Sequence, residues 1–273
     1  MKRRDFLTTS CAAGITALSI NDLAHANIEP TDSPSFVDLQ LFTVPNPERM
    51  NQMIKFHGGT RAKLANRFGG SPVGLFVSDK PRNAGNANYD SKYDNMLFSM
   101  ISHPTLDSTV TLPGKIRADK QYIADHTEMA KGTTSKDPLF TAQERMLLRC
   151  FDEFPRVEVP TLAKTRILQL RIYRSHNSDR NRAKIEMFTS GGELALFQEC
   201  GMNPVFFCDM LFGTHIPSLA YMLSFESEKH MDEGWKTFVN HPEWKKMSSD
   251  PKYADTATEI VNIYLSPCEG SQI

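Results

Sequence analysis

One feature constrains this chain more than any other: it repeats itself. "DLQLFTVPN" (Asp38 to Asn46) returns as "QLRIYRSHN" (Gln169 to Asn177). At an offset of 131 residues Leu39 meets Leu170, Phe42 meets Tyr173 and Asn46 meets Asn177. Further on the offset becomes 132, where Gly59 meets Gly191, Leu64 meets Leu196, Gly69 meets Gly201 and Pro72 meets Pro204. At "NMLFSMIS" it reads 124, setting Leu97 against Tyr221 and making the preceding loop of the first half 8 residues longer. Matches that keep their order across glycine, proline and apolar positions indicate one structural unit used twice.

The unit can be read element by element. Phe36 to Phe42 alternates with period two, as a strand does. A helical stretch follows, with apolar residues at Met50, Met53, Ile54, Leu64, Ala65 and Phe68, broken by Gly58-Gly59. "GGSPVGLFVSD" and "NMLFSMIS" supply two more strands, a polar segment of poorer periodicity runs to Thr141, and "ERMLLRCF" closes the half. The second half repeats the order, with a clearer helix in "SEKHMDEGWKTFVN" and a last strand in "TEIVNIYLS". Each half is therefore β-α-β-β-α-β, a ferredoxin-like plan. The expected fold is α+β, two such domains at 35–156 and 165–268 with their sheets packed on each other. Gly69 and Gly201 are placed as helix C-caps, and the prolines three residues later keep each helix from continuing. Gly58-Gly59 and Gly191-Gly192 imply either a helix break or a close backbone approach.

The N-terminus reads as an address. "MKRRDFLTTSCAAGITALSINDLAHA" has a basic start, a modestly apolar middle and an A-x-A ending, and its Arg3-Arg4 pair resembles a twin-arginine export signal. Residues 1–26 are assigned to this signal and 27–34 to a linker, which directs the chain to the periplasm or beyond without a stable membrane anchor. Cys150, Cys200, Cys208 and Cys268 then remain, and three pairings are open to them. A net charge of -1 with no basic stripe argues against a nucleic-acid partner. No dinucleotide, phosphate-loop or serine-hydrolase motif occurs, and no histidine pair stands at metal spacing, so neither cofactor nor metal is expected.

The second half resembles the NIPSNAP family of dimeric α/β-barrel proteins. The likeness rests on the opening "LQLRIYR", on the helix closing at "CGMNPV", on "AYMLSFES" and on "WKTFVNHPEW". It covers about Arg166 to Ser266, and reaches the first half only through the repeat. Gln169 stands where the family usually has Glu, and Gln40 and Phe42 replace Arg171 and Tyr173 in the first half. The resemblance implies two facing sheets with helices outside, and no defined reaction.

On that plan Leu168, Leu170 and Ile172 face the helices, while Gln169, Arg171 and Tyr173 point between the sheets. Asp38 and Gln40 line the opposing wall. Arg171 is suited to clamp a carboxylate or enolate, and Tyr173 to donate to a developing oxyanion. His176, in the loop after the strand, is the first choice for acid-base work. Three functions follow: a small-molecule binder with its pocket between the sheets, a cofactor-independent monooxygenase or isomerase using His176 or Tyr173, or a structural module whose barrel is filled. A monomer and a homo-oligomer both fit an internal tandem. The loss of the Arg and Tyr from the first copy places any function in the second.

Overall fold

The alternating stretches become eight strands, with helices in every connection but β4 to β5 and β6 to β7. The computed structural model describes residues 33–273; the stretch expected to be an export signal and most of the expected linker lie outside them. The first half runs β1 (Phe36–Thr43), α1 (Pro47–Phe56), α2 (Ala62–Arg67), β2 (Val73–Ser78), a short α3 (Lys80–Asn83), β3 (Met96–His103), α4 (Leu106–Ala118), α5 (Lys120–Ala130) and β4 (Ala142–Cys150). The second runs β5 (Ile167–Arg174), α6 (Ser178–Phe188), α7 (Glu193–Glu199), β6 (Asn203–Phe212), β7 (Ser218–Phe225), α8 (Glu228–Asn240), α9 (Pro242–Ser248) and β8 (Glu259–Pro267). Gly69 and Gly201 end their helices with φ of 91° and 73°, the left-handed conformation that glycine adopts without a Cβ penalty.

Each half forms a four-stranded antiparallel sheet, and the two join edge to edge. The strand order β1-β3-β2-β8-β5-β7-β6-β4 closes on itself through β4 and β1. Closure leaves no unpaired sheet edge. The two seams are the short pairings: β2 meets β8 over Phe76 to Ser78, and β4 meets β6 with a register shift at Leu147/Leu148. Within the halves, β1–β3 and β5–β7 pair along their whole length. The chain beyond β8 continues the first seam, since the Gln272 side chain accepts from the Val73 amide at 2.8 Å and Ser271 Oγ from the Leu75 amide at 3.1 Å.

The inside of the barrel is apolar. Leu39, Leu41, Phe98 and Met100 from the first half meet Leu168, Leu170, Phe206 and Met222 from the second in one buried cluster. This reverses the expected facing of β5: its leucines and Ile172 point into the barrel, while Gln169, Arg171 and Tyr173 lie under the helices. Alternation separates the two faces of a strand, but both faces are buried here, so the pattern alone does not tell inside from outside. Register also corrects the third-strand offset: Gln40 pairs with Ser99 and Arg171 with Tyr221, an offset of 122 that keeps the same face but moves the match by two residues.

The first glycine pair marks a close approach and not a helix break. Between α1 and α2 the helix passes through a π turn, His57–Arg61, with no break in direction at its flanks. A Cβ on Gly58 would stand 2.1 Å from the Glu269 carbonyl oxygen, so here the chain end crosses directly over the helix; Gly59 has open space. Gly58→Ala is expected to cost about 1–3 kcal/mol in denaturant unfolding, as overpacking against backbone does, whereas Gly59→Ala should be neutral or slightly stabilising. Equal effects at the two positions would contradict the crossing.

Candidate functional site

The closed barrel sends every polar strand residue of interest outward, against the helices. Asp38 and Gln40 therefore lie beneath α1, α2, α4 and α5, and Gln169, Arg171 and Tyr173 beneath the helices of the other half. The filled apolar interior separates the two groups, so the structure does not bring the five expected residues to one cavity.

In the first half, Asp38 and Gln40 begin a chain of polar contacts. Arg145 on β4 donates to both Asp38 oxygens, Nε at 2.7 Å and Nη2 at 3.1 Å. A third Arg145 bond, 3.3 Å, goes to the Thr109 carbonyl. That carbonyl is free because Pro113, four residues on in α4, has no N–H to offer it. Gln40 donates to Asp38 at 2.6 Å and accepts from Arg61 at 3.1 Å and Gln143 at 3.2 Å. Arg61 comes from the π turn and also donates to Ser99 Oγ at 2.8 Å and to His57 Nδ1 at 3.4 Å. A guanidinium has no acceptor, so His57 presents Nδ1 as a lone pair and carries its proton on Nε2.

Arg61 is the exceptional member. Asp38 is taken up by Arg145, and the Arg61 guanidinium rests on neutral partners. Burial pushes it below its ordinary value, partly offset by Asp38, and an arginine stays charged through such a shift. It is densely surrounded by protein yet keeps some accessible surface, as a group facing a cavity does. That cavity has a volume of about 450 Å³. Arg61, Arg117, Arg145, His57 and His126 line it, and no carboxylate does. Its other wall is aromatic: the Tyr122 and His126 rings stack at 5.4 Å with 12° between planes, and Phe56 meets both edge-on. Tyr122, His126 and Met129 all lie on one stripe of α5, which covers the cavity without burying a single residue. Thr60 to Asp125 and Arg67 to Asp119 fasten this helix. A wider depression, about 970 Å³, lies outside the same helices between Lys55, Lys63, Glu128 and Glu269. Both signs of charge line it, and neither arginine nor histidine does.

The second half fills the equivalent space. Register and repeat together place Ser99 opposite Tyr221, Leu75 opposite Phe207 and Ala65 opposite Phe197; all three larger residues are fully buried. Arg171 replaces Gln40, and its guanidinium lies over Trp235, Tyr173 and Tyr221 at 5.1, 5.4 and 5.9 Å from the ring centres. Burial would lower its pKa, but Tyr221, Tyr173 and Glu193 outweigh that and raise it. Its Nε has no hydrogen-bond partner. Glu193, the counterpart of Arg61, is buried in a 2.9 Å ion pair with Lys184. Gln169 is held by Trp235 and Asn262, 2.8 and 2.9 Å away. Tyr173 packs on Phe188 and sets its hydroxyl 3.4 Å from that of Tyr221. His176 sits in an exposed loop, 4.0 Å from Asp255, and faces neither cluster. Among the described residues no group of histidine, cysteine and carboxylate side chains is arranged to hold a metal.

Arg61, His57, Tyr122 and His126 escape a reading that follows the strands alone. The repeat carries a signal for Arg61: position 61 and its partner 193 exchange a cation for an acid, as Arg67 and Glu199 do at the far end of the same helices.

His103 ends β3 on the same face as Ser99, fully buried, with Nδ1 2.9 Å from Ser108 Oγ and Nε2 unpartnered. Burial lowers its pKa from 6.5 to about 4, and burial lowers that of His57 as well. The unfolded chain takes up these protons first. The native state therefore has its full advantage above pH 6.5 and loses it as pH falls towards 4. Urea unfolding across that window should show stability falling with acidification, by up to about 3 kcal/mol from His103, and the slope should lessen in His103→Gln. An NMR titration midpoint for His103 near 6.5 would contradict this.

With this geometry in hand, comparison places the chain among known proteins. The NIPSNAP family model matches residues 168–272, the second half. No curated protein matches. Among solved structures the chain is similar to a candidate monooxygenase of Lactobacillus acidophilus NCFM, with a TM-score of 0.55 and 10% identity over 88% of this chain and 98% of that one. A candidate monooxygenase of Fusobacterium nucleatum gives 0.53 at 6% identity, over 86% and 93%. An anthrone oxidase-like protein gives 0.50 at 10% identity, over 88% and 96%. At such identities the likeness is one of fold. The chain thus carries a NIPSNAP-matching half within an α+β barrel, whose likeness to solved structures spans both halves.

Proposed function

We propose that the protein binds a small anion bearing an aromatic or other flat apolar body, in the first-half cavity beneath α5. One observation carries the reading: a positively charged guanidinium, Arg61, faces a cavity of about 450 Å³ that no carboxylate lines. A buried cation with only neutral partners gains most from an incoming carboxylate, because a charge-assisted hydrogen bond is about twice as strong as a neutral one. The Tyr122, His126 and Phe56 rings supply the apolar surface. The earlier expectation of a ligand between the sheets is replaced by this one, since side chains fill that space. The twin-arginine-like N-terminus supports binding outside the cytoplasm.

A second reading rests on His57. Its neutral imidazole stands beside Arg61 with the Nδ1 lone pair taken by the guanidinium, which leaves Nε2–H to donate to the oxyanion of an enolisable ligand that Arg61 also holds. On this reading His57 takes the role first given to His176 or Tyr173, and no cofactor is required. The solved structures of similar fold named as monooxygenases lend it support at the level of fold alone.

Calorimetric titration with 2-naphthoate and benzoate, set against their neutral carboxamides, tests the first reading. The acids should bind more tightly than the amides. Arg61→Gln should weaken acid binding about tenfold or more, the worth of a hydrogen bond to a charged group, and leave amide binding unchanged. Arg171→Met should leave both unchanged. Equal binding of acid and amide, or a loss with Arg171→Met alone, would overturn it.

A further inference from the structure

The seam between β4 and β6 carries the only strand-to-strand cysteine pair among the described residues. Cys150 and Cys208 are direct register partners, fully buried, with their sulfurs 3.5 Å apart inside the barrel. The Cys150 amide is bonded to Ser35 on the other side, and Phe151 donates to Phe207. Cys150 and Cys208 are thus a non-hydrogen-bonded pair of an antiparallel ladder, the site where Cα atoms come closest, ~4.5 Å, within the range a disulfide spans. Reaching the ~2.05 Å of an S–S bond needs both sulfurs to move together by only ~1.5 Å. Cys200, at the end of α7, and Cys268, after β8, pack in different apolar clusters and face neither this pair nor each other.

We infer that Cys150 and Cys208 form a disulfide that covalently joins the two halves across the β4–β6 seam. Among the described residues β4–β6 is the only direct strand pairing between the halves besides the short β2–β8 pairing, and its register is irregular. A bond there ties the last strand of the first unit to the middle of the second, closing the barrel that neither sheet closes alone. It leaves Cys200 and Cys268 as thiols, since they pack in different clusters.

The oxidant is a small-molecule disulfide. The Cys150 thiolate attacks one of its sulfurs, forming a mixed disulfide and expelling one thiolate; the Cys208 sulfur, having lost its proton, then attacks Cys150 and expels the other. Two protein thiols are oxidised, and one external disulfide is reduced to two thiols. Either sulfur can make the first attack, and the balance is the same. Both are enclosed in the finished barrel, so the exchange takes place while the seam is open during folding.

Refolding the full chain with oxidised glutathione, unfolding it without reductant in the presence of iodoacetamide, and mapping the digest by mass spectrometry tests this. Cys150 and Cys208 should escape alkylation and appear as one linked peptide two hydrogens lighter, with reductant restoring both. The oxidised wild type should melt at a higher temperature than the reduced form, and Cys208→Ala should show no such difference. Alkylation of both residues after oxidative refolding, or a link from either to Cys200 or Cys268, would overturn the assignment.

Discussion

Everything in this molecule depends on two sheet edges finding partners. A four-stranded ferredoxin-like sheet leaves a strand exposed on each side, and each half covers the other's edges through β2–β8 and β4–β6. Closure creates an inside, and an inside lined by eight strands at close quarters admits apolar side chains such as Leu39, Leu170 and Met222. Polar strand residues are left with the outer face. There the helices must satisfy them, and there the cavity, the buried charges and the titrating histidines all occur.

The two outer faces solve one problem in opposite ways. Both hold a guanidinium over the middle of the opening strand. In the second half Arg171 rises from the strand into a cage of rings, with the Lys184–Glu193 pair close by and Phe197, Phe207 and Tyr221 filling the remaining space. In the first half Arg61 reaches down from the helix onto Gln40 and Ser99, and Ala65, Leu75 and Ser99 are too small to fill what lies around it. One face became packing and the other kept a hollow. The duplication explains the shared position of the charge; the change of side-chain size explains why only one of the two charges meets a cavity.

Much of the fold was legible in the sequence because a repeat is evidence that local choices agree twice. Strand positions, the glycine caps at Gly69 and Gly201 and the α+β plan all follow from it. The facing of β5 did not follow, since Leu168, Leu170 and Ile172 would suit either a barrel interior or a helix layer, and Arg171 and Tyr173 were accordingly set on the wrong side. The candidate site was harder still. Its roof, α5, buries no residue, so its apolar stripe of Tyr122, His126 and Met129 is diluted by polar neighbours and reads as an irregular segment. Its charge, Arg61, comes from a π turn, where helical periodicity slips. The strand that carries an Arg and a Tyr belongs to one half, whereas the hollow lies in the half that has Gln40 and Phe42 in their place.

On the reading proposed above, the first half holds the binding cavity beneath α5, and side chains fill the equivalent space of the second half. A crystal structure of the protein soaked with 2-naphthoate addresses it directly. The carboxylate should lie against the Arg61 guanidinium, with the ring system between Tyr122, His126 and Phe56. Ligand density between the sheets, or against Arg171, would contradict it.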